Sequence, residues 1–380
     1  MIDGKNFLLR LLTLFLLIVP VTGCSLQPGI PVGFSAALTG KQNEQGVNLR
    51  NGVELAVEEI NAAGGVNGRI LELRVEDDLG TEEGARQAER RLIGAGVVAI
   101  LGHMTSSQTL AGDPEAEAGG IPLLSATAST SLMTGKRDLF LRTVVSTDDM
   151  GRGFASYIRQ ERGLKRLAII LDQDNTAYST PMAQTFQDTF TRLGGEISAQ
   201  LPFSARQSPD FFPLVEQLME DQPEGVLIIA SPADTALIAQ AINLKNWKPA
   251  LFTSSWGQGA SLIQNGGSAV EDMETIIAFD MNDSSPALQA FKDRYEKRFG
   301  QAPNFIAAEG FETMKMLAVA LQTNRGKSQG LAQALINLND FQGLTGLIRL
   351  DEYGDAIRPL YIQKIGERRF QTIHRTEPLP

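Results

Sequence analysis

Three short runs carry side chains able to do chemistry or grip a ligand. Gly102-His103-Met104-Thr105-Ser106-Ser107-Gln108-Thr109 sets an imidazole beside hydroxyls. Ser125-Ala126-Thr127-Ala128-Ser129-Thr130-Ser131 is a second hydroxyl-rich run, and Ser254-Ser255-Trp256-Gly257 a third. A histidine near serines suggests a nucleophile and its base. A base usually reaches its serine from another element, however, and here both come from one turn. The two histidines, His103 and His374, lie far apart, and Cys24 is the single cysteine, so the sequence holds no zinc-like cluster. No Walker-type or dinucleotide glycine pattern follows a strand, Gly257 and Gly259 are an isolated pair, and no Gly-x-Ser-x-Gly elbow occurs. These absences predict neither an enzyme nor a cofactor or metal site, and leave binding as the chemistry to explain.

The flanking pattern explains how such runs would bind. The first follows a short apolar strand, Val97 to Leu101, and opens a helix; the second follows Ile121 to Leu124. In open α/β sheets ligands collect at the carboxyl ends of strands. The first turn of a helix offers unpaired N–H groups and positive partial charge, which suit a carboxylate. Ser106 or Ser107 would add a hydroxyl. The same serines also fit as helix caps; two such runs in succession favour convergence on one anion.

The wider chain supplies that scaffold. Strands are expected at Pro31 to Ala37, Ile70 to Val75, Leu167 to Leu171, Val226 to Ala230 and Ala250 to Thr253. Between them the periodicity predicts helices at Asn48 to Asn61, Glu82 to Ile93, Pro181 to Leu193 and Ala233 to Asn243. Ser208-Pro209-Asp210 reads as a cap, first-turn proline and first-turn acid. This alternation predicts an α/β fold with parallel sheets covered on both faces. Ala287 to Phe299 and Glu309 to Gln322 read as helices. Leu347 to Leu350 and Leu360 to Lys364 read as a hairpin around Asp351-Glu352-Tyr353-Gly354. The 380 residues allow two domains, and 43% hydrophobic with 21% charged residues is ordinary for a globular chain. A net charge of −10 argues against a nucleic-acid partner.

The start of the chain fixes a compartment. Lys5 and Arg10 precede an apolar stretch, Leu11 to Val19, which leads to Val21-Thr22-Gly23-Cys24. A charged region, a short apolar core and small residues before a cut site make a secretory signal. The four residues ending at Cys24 resemble the lipobox of bacterial lipoproteins, in which that cysteine becomes the lipidated first residue. The expectation is a periplasmic or cell-surface protein, tethered to a membrane only through lipidated Cys24. Ser25, in place of Asp, resembles outer-membrane-directed lipoproteins.

Further motifs in order carry a broader resemblance: Gly33-Phe34-Ser35-Ala36-Ala37-Leu38-Thr39-Gly40, Glu59-Ile60-Asn61-Ala62-Ala63-Gly64-Gly65-Val66-Asn67-Gly68, Glu76-Asp77-Asp78 and Leu101-Gly102-His103 with Ser106-Ser107. Phe341-Gln342-Gly343-Leu344-Thr345-Gly346 and Leu350-Asp351-Glu352-Tyr353-Gly354-Asp355 follow late in the chain. The chain resembles the type I periplasmic binding proteins of the branched-chain amino acid (Leu/Ile/Val-binding) group. The resemblance implies two lobes, each a parallel sheet flanked by helices, joined by three hinge crossings. Residues 1–23 would be the signal, 24–30 the tether, 31–144 with 280–342 the first lobe, and 145–279 with 344–380 the second.

It also implies a site. Ser106, with Ser107 beside it, and Ser129, with the Ala128 carbonyl, would hold a ligand carboxylate. Tyr178 would close from the second lobe, Gln45 stands where an aromatic often covers the ligand, and Ser231 is a further contact. Family members that bind amino acids carry an acid after the strand Ala250 to Thr253. Here that loop, with Ser255 and Trp256, has none, so a ligand ammonium would need Asp234, Asp280 or Glu309, or else the ligand is not an α-amino acid. The implied function is capture of a small amino-acid-like or carboxylate-bearing ligand for an ABC permease. The alternative is a ligand-sensing subunit of the same fold, for amides, urea or aromatic acids.

Overall fold

The computed structural model describes residues 28–40 and 43–376. The expected signal, Cys24 and most of the expected tether lie outside the described residues.

The chain begins β1 (Ile30–Ala36), α1 (Asn43–Ala62), β2 (Leu71–Asp77), α2 (Glu82–Gly94), β3 (Ile100–Gly102), α3 (Ser106–Gly119), β4 (Leu123–Ser125), β5 (Phe140–Arg142). These five strands form an all-parallel sheet in the order β2-β1-β3-β4-β5. A second half follows with α4 (Thr147–Gln160), β6 (Arg166–Asp172), α5 (Thr176–Arg192), β7 (Glu196–Phe203), α6 (Phe211–Glu220) and β8 (Gly225–Ile229). It continues through α7 (Pro232–Leu244), β9 (Ala250–Thr253), α8 (Ala260–Gly266) and β10 (Glu274–Ile277). The chain then returns to the first half through α9 (Pro286–Phe299), α10 (Phe305–Thr323) and α11 (Leu331–Ile336). Short strands β11 (Phe341–Gln342), β12 (Leu347–Leu350) and β13 (Ala356–Ile357) follow. Finally β14 (Leu360–Gly366) and β15 (Arg369–Thr376) complete a seven-stranded sheet, ordered β15-β14-β10-β9-β8-β6-β7.

The burial pattern explains these elements. Every residue of β8 is buried, as a parallel strand covered on both faces requires. Helix α1 buries Leu49, Val53, Ala56, Val57 and Ile60 as one stripe. It packs on α10, which is buried almost all round and so runs through the interior of the first half. Gly52 permits that approach, because a Cβ there would overlap the Ala307 carbonyl.

Four expectations change. The second sheet is mixed, not parallel, because β14 and β15 pair antiparallel beside β10. The expected hairpin does not form: Leu347–Leu350 pairs with Phe341–Gln342 and Ala356–Ile357, while Leu360–Gly366 joins the large sheet. Leu344, Ile348, Leu350 and Ala356 pack in the core of the first half, where fully buried Arg142 also meets Asp355 at 2.8 Å. The chain therefore makes its third passage between the halves at Arg358–Pro359, later than the expected 342–344. Lastly, Ser208 does not cap a helix. It has φ 48°, and Asp210 caps α6 by accepting the Phe212 N–H at 3.0 Å.

The loop between β3 and α3 rests on a buried ion cluster. His103 is fully buried, with Nδ1 2.7 Å from Asp78 Oδ2 and Nε2 3.0 Å from Glu89 Oε1. Gly112 makes room, since a Cβ there would stand 2.7 Å from Nε2. Burial alone would lower the imidazole pKa. The hydrogen bonds and charges of Asp78 and Glu89 outweigh it and raise the value from 6.5 to about 9. The raised folded value stabilises the fold below the unfolded pKa, and that stability is lost as pH rises from 6.5 towards 9, a loss on the order of 3 kcal/mol. The unfolding midpoint is expected to fall between about pH 6.5 and about pH 9, and His103→Gln to lower it at the acid end and flatten the profile. A midpoint that holds or rises across that window contradicts a charged His103.

Candidate functional site

The carboxyl ends of the parallel strands in both halves face one cleft, as the α/β rule requires. Its interior volume is about 40 Å³. The first half contributes Gln45 from the opening turn of α1, Ser106 from that of α3, Thr127 after β4, and Glu309 from α10. The second half contributes Tyr178 from α5, with Ser255 and Trp256 after β9. The remaining wall is mainly apolar, with Met104, Val144, Met150, Ile277 and Ile306 among it.

The question of cap or contact is settled differently in the two hydroxyl runs. In the first, Thr105 is the cap, its Oγ1 accepting the Gln108 N–H. Ser106 is thereby released: its Oγ is buried, lines the cleft and finds no partner among the described residues. In the second run, Ser125 Oγ accepts the N–H groups of Thr127 and Ala128, at 3.3 and 2.9 Å, and Thr130 caps the next turn. Ser129 is buried with its carbonyl on the Thr147 N–H at 2.6 Å, on the first passage between the halves. Neither Ala128 nor Ser129 lines the cleft; Thr127 does, and its Oγ1 donates to the Met104 carbonyl at 2.8 Å.

Ser107 serves the seam between the halves. Its N–H donates to Asn175 Oδ1 at 3.0 Å, and its Oγ accepts the Ala177 N–H at 3.3 Å. The amino ends of α3 and α5 therefore meet across the cleft, and both bring positive partial charge to it. Gln45 Nε2 donates to the Trp256 carbonyl at 3.2 Å, a second tie. Tyr178 Oη lies 3.1 Å from Ser255 Oγ, and its ring meets Trp256 edge-on at 5.8 Å. Burial raises the Tyr178 pKa, so the phenol stays protonated. Trp256 Nε1 is buried without a partner among the described residues. Ser231 is not at the cleft; it caps α7 and bonds to Asp234 at 2.6 Å. His103 is turned towards Asp78 and Glu89 and forms no side-chain hydrogen bond with Ser106 or Ser107.

Of the three acids the sequence offered, one reaches the cleft. Asp280 is held by Thr372 Oγ1 and Gln363 Nε2, at 2.6 and 3.3 Å, and Asp234 stays with Ser231. Glu309 lines the cleft and is 2% exposed. Burial pushes its carboxyl up to about 8, with the Glu312 charge adding to the rise and Arg358 opposing it. That guanidinium is already paired with Glu312, Nη1 to Oε2 at 3.1 Å.

Comparison with known proteins places this architecture. Leu/Ile/Val-binding protein homolog 1 of Brucella abortus is 24% identical over 361 residues, covering 90% of this chain and 91% of the relative. A leucine-binding protein of Thermotoga maritima superposes with a TM-score of 0.86 at 23% identity, covering 92% of this chain and 99% of the other. LivJ of Streptococcus pneumoniae, in complex with isoleucine, gives 0.84 at 21%, covering 92% and 99%. A solute-binding protein from an ABC transporter of R. palustris, in complex with benzoate, gives 0.83 at 18%, covering 92% and 97%. The family model described as periplasmic binding protein matches residues 29–369. With its two α/β halves closing on one cleft, the chain belongs to the periplasmic binding protein family and has the type I fold.

Proposed function

We propose that the protein is an exported, lipid-anchored solute-binding protein. It captures a small amino-acid-like or carboxylate-bearing ligand between its two halves and delivers it to an ABC permease. The observation that carries this reading is Ser106: a buried hydroxyl with no partner among the described residues, at a helix amino end, lining a cleft between two α/β halves. An anion placed there gains the hydroxyl, the adjacent helix N–H groups and the converging helix dipoles. The relatives support the class, being named for leucine, isoleucine and benzoate, all of which carry a carboxylate.

The mechanism is a population shift. Ligand contacts made only when both halves meet stabilise the closed form, and the permease distinguishes that form. The interior of about 40 Å³ is far below the roughly 150 Å³ known to hold a benzene ring, so the halves part to admit a ligand and settle around it. The anchor would be the lipid on Cys24.

Three outcomes are expected. In calorimetric titrations with L-leucine, L-isoleucine and benzoate, Ser106→Ala weakens whichever compound binds by about 1–3 kcal/mol and leaves the unfolding midpoint nearly unchanged; unaltered affinity removes Ser106 from the site. Solution scattering shows a smaller radius of gyration when that compound saturates the protein, and an identical profile counts against closure. Cys24→Ser moves the protein from the membrane fraction to the soluble fraction of its host and abolishes incorporation of labelled palmitate. Retention at the membrane counts against the anchor.

A further inference from the structure

We infer that Glu309 receives the ammonium of the ligand, so that the site selects amine-bearing acids over their amine-free counterparts and releases a proton on capture. This rests on the cleft being the ligand site. It replaces the acid missing from Ser254-Ser255-Trp256-Gly257 with one presented by the other half of the molecule.

The charge balance is the first argument. Two carboxyls, Glu309 and Glu312, and one guanidinium, Arg358, are buried together. Arg358 is spent on Glu312 at 3.1 Å, and the Leu344 N–H donates to the same carboxylate. Glu309 is left over. Its side chain forms no hydrogen bond among the described residues, although the helix backbone beneath it is fully engaged, Thr313 Oγ1 donating to its carbonyl at 2.7 Å. A buried carboxyl in that position either holds its proton or waits for a cation.

Surroundings supply the second argument. Among the described residues lining the cleft, Glu309 is the only carboxyl, and no lysine, arginine or histidine lines it. The charges facing Glu309 are Glu312 on its own helix and Arg358 from the segment between β13 and β14; across the cleft stands the neutral phenol of Tyr178. Ser106 Oγ and Trp256 Nε1 are the other unpartnered buried atoms on the wall, and both can donate to a carboxylate. Two donors and one spare acid suit a zwitterion.

The proton bookkeeping separates the ligand classes. Burial keeps most of Glu309 protonated at neutral pH, its pKa standing at about 8. An arriving R–NH3⁺ displaces that proton, giving Glu309–COO⁻ paired with R–NH3⁺ and one H⁺ released to solvent. An amine-free acid leaves the proton in place, and the carboxylic O–H stays available as a donor.

Calorimetric titration of the wild-type protein tests this, in buffers of different ionisation enthalpy. The probes are L-leucine against 4-methylpentanoate, and L-phenylalanine against 3-phenylpropanoate. At about pH 6.5 the amino acids are expected to release close to one proton each, with affinity rising about tenfold per pH unit until near pH 8. Glu309→Gln, which mimics the protonated acid, weakens the amino acids about a hundredfold and leaves the amine-free acids within about threefold. Amine-free acids that match the amino acids in wild type, or amino-acid capture without proton release, overturn the role of Glu309 while leaving the cleft reading intact. If no compound of either set binds, the cleft reading falls and this inference falls with it. The proton count needs only the wild-type protein, so a poorly folding variant leaves it decisive.

Discussion

One guanidinium stands where the three passages between the halves converge. Arg358 lies on the third passage. It reaches Thr143 on the first, Nη1 to the carbonyl oxygen at 3.5 Å, and stands 5.6 Å from the ring of Phe279 on the second. Its charge is answered by Glu312 from α10. A buried ion pair repays its desolvation only when the remaining donors and acceptors are also met. Here the Leu344 N–H shares the Glu312 carboxylate, and Thr143 Oγ1 meets Thr313 Oγ1 at 2.6 Å. The junction is thus pinned to a helix belonging to the first half.

That arrangement has a consequence one helical turn away. Residues three apart on a helix share a face, so Glu309 lies over Glu312 and within range of the same arginine. With the arginine committed, burial dominates at Glu309. The junction therefore shapes the electrostatics of the cleft: the one guanidinium that stands among the crossings is committed to Glu312, and the neighbouring acid is left unanswered. Elsewhere on the wall the polar groups are satisfied locally, as Thr105 does for the start of α3 and Ser125 for the turn after β4. Among the described residues of the wall, the unanswered groups are Ser106 Oγ, Trp256 Nε1 and the Glu309 carboxyl.

Much of the scaffold was legible because it is local. Apolar strands, helical stripes and hydroxyl runs at strand ends follow from spacing within ten or twenty residues, and they singled out Ser106; the resemblance to a family, not spacing, singled out Tyr178, Gln45, Ser255 and Trp256, and all five line the cleft. Non-local partners were not legible. His103 gave no sign of its role, because nothing nearby in the chain marks Asp78 and Glu89 as its partners. Ser129 and Ala128 looked equivalent to Ser106 because the run is hydroxyl-rich, yet Ser125 folds the turn and sends Ser129 towards Thr147. Glu309 was one acid among three, and only the return of the chain at Arg358 separates it from Asp234 and Asp280. Segment 344–357 was misplaced for a similar reason, since Arg142, far earlier in the chain, holds Asp355 against the first half.

The distribution of these groups orders the events of capture on the reading proposed above. Ser106 and Glu309, the two sites for opposite charges, both belong to the first half, so a zwitterion can dock there while the cleft is open. The second half brings Trp256, Tyr178 and Ser255, an apolar and neutral face. Away from the passages, the ties across the seam among the described residues are few: Ser107 with Asn175 and Ala177, Gln45 with Trp256, and Arg206 with the Gly80 carbonyl at 3.4 Å. The neutral hydrogen bonds among them contribute about 0.5–1.5 kcal/mol each after exchange with water, and the exposed Arg206 bond is weakened by solvent. Their sum is a few kcal/mol at most, and closing also strips water from Glu309 and the Ser106 hydroxyl. Seam bonds alone thus leave open and closed forms close in free energy. A ligand that answers the stranded acid and hydroxyl removes that penalty in the closed form only, and such differential binding is what moves a two-state equilibrium.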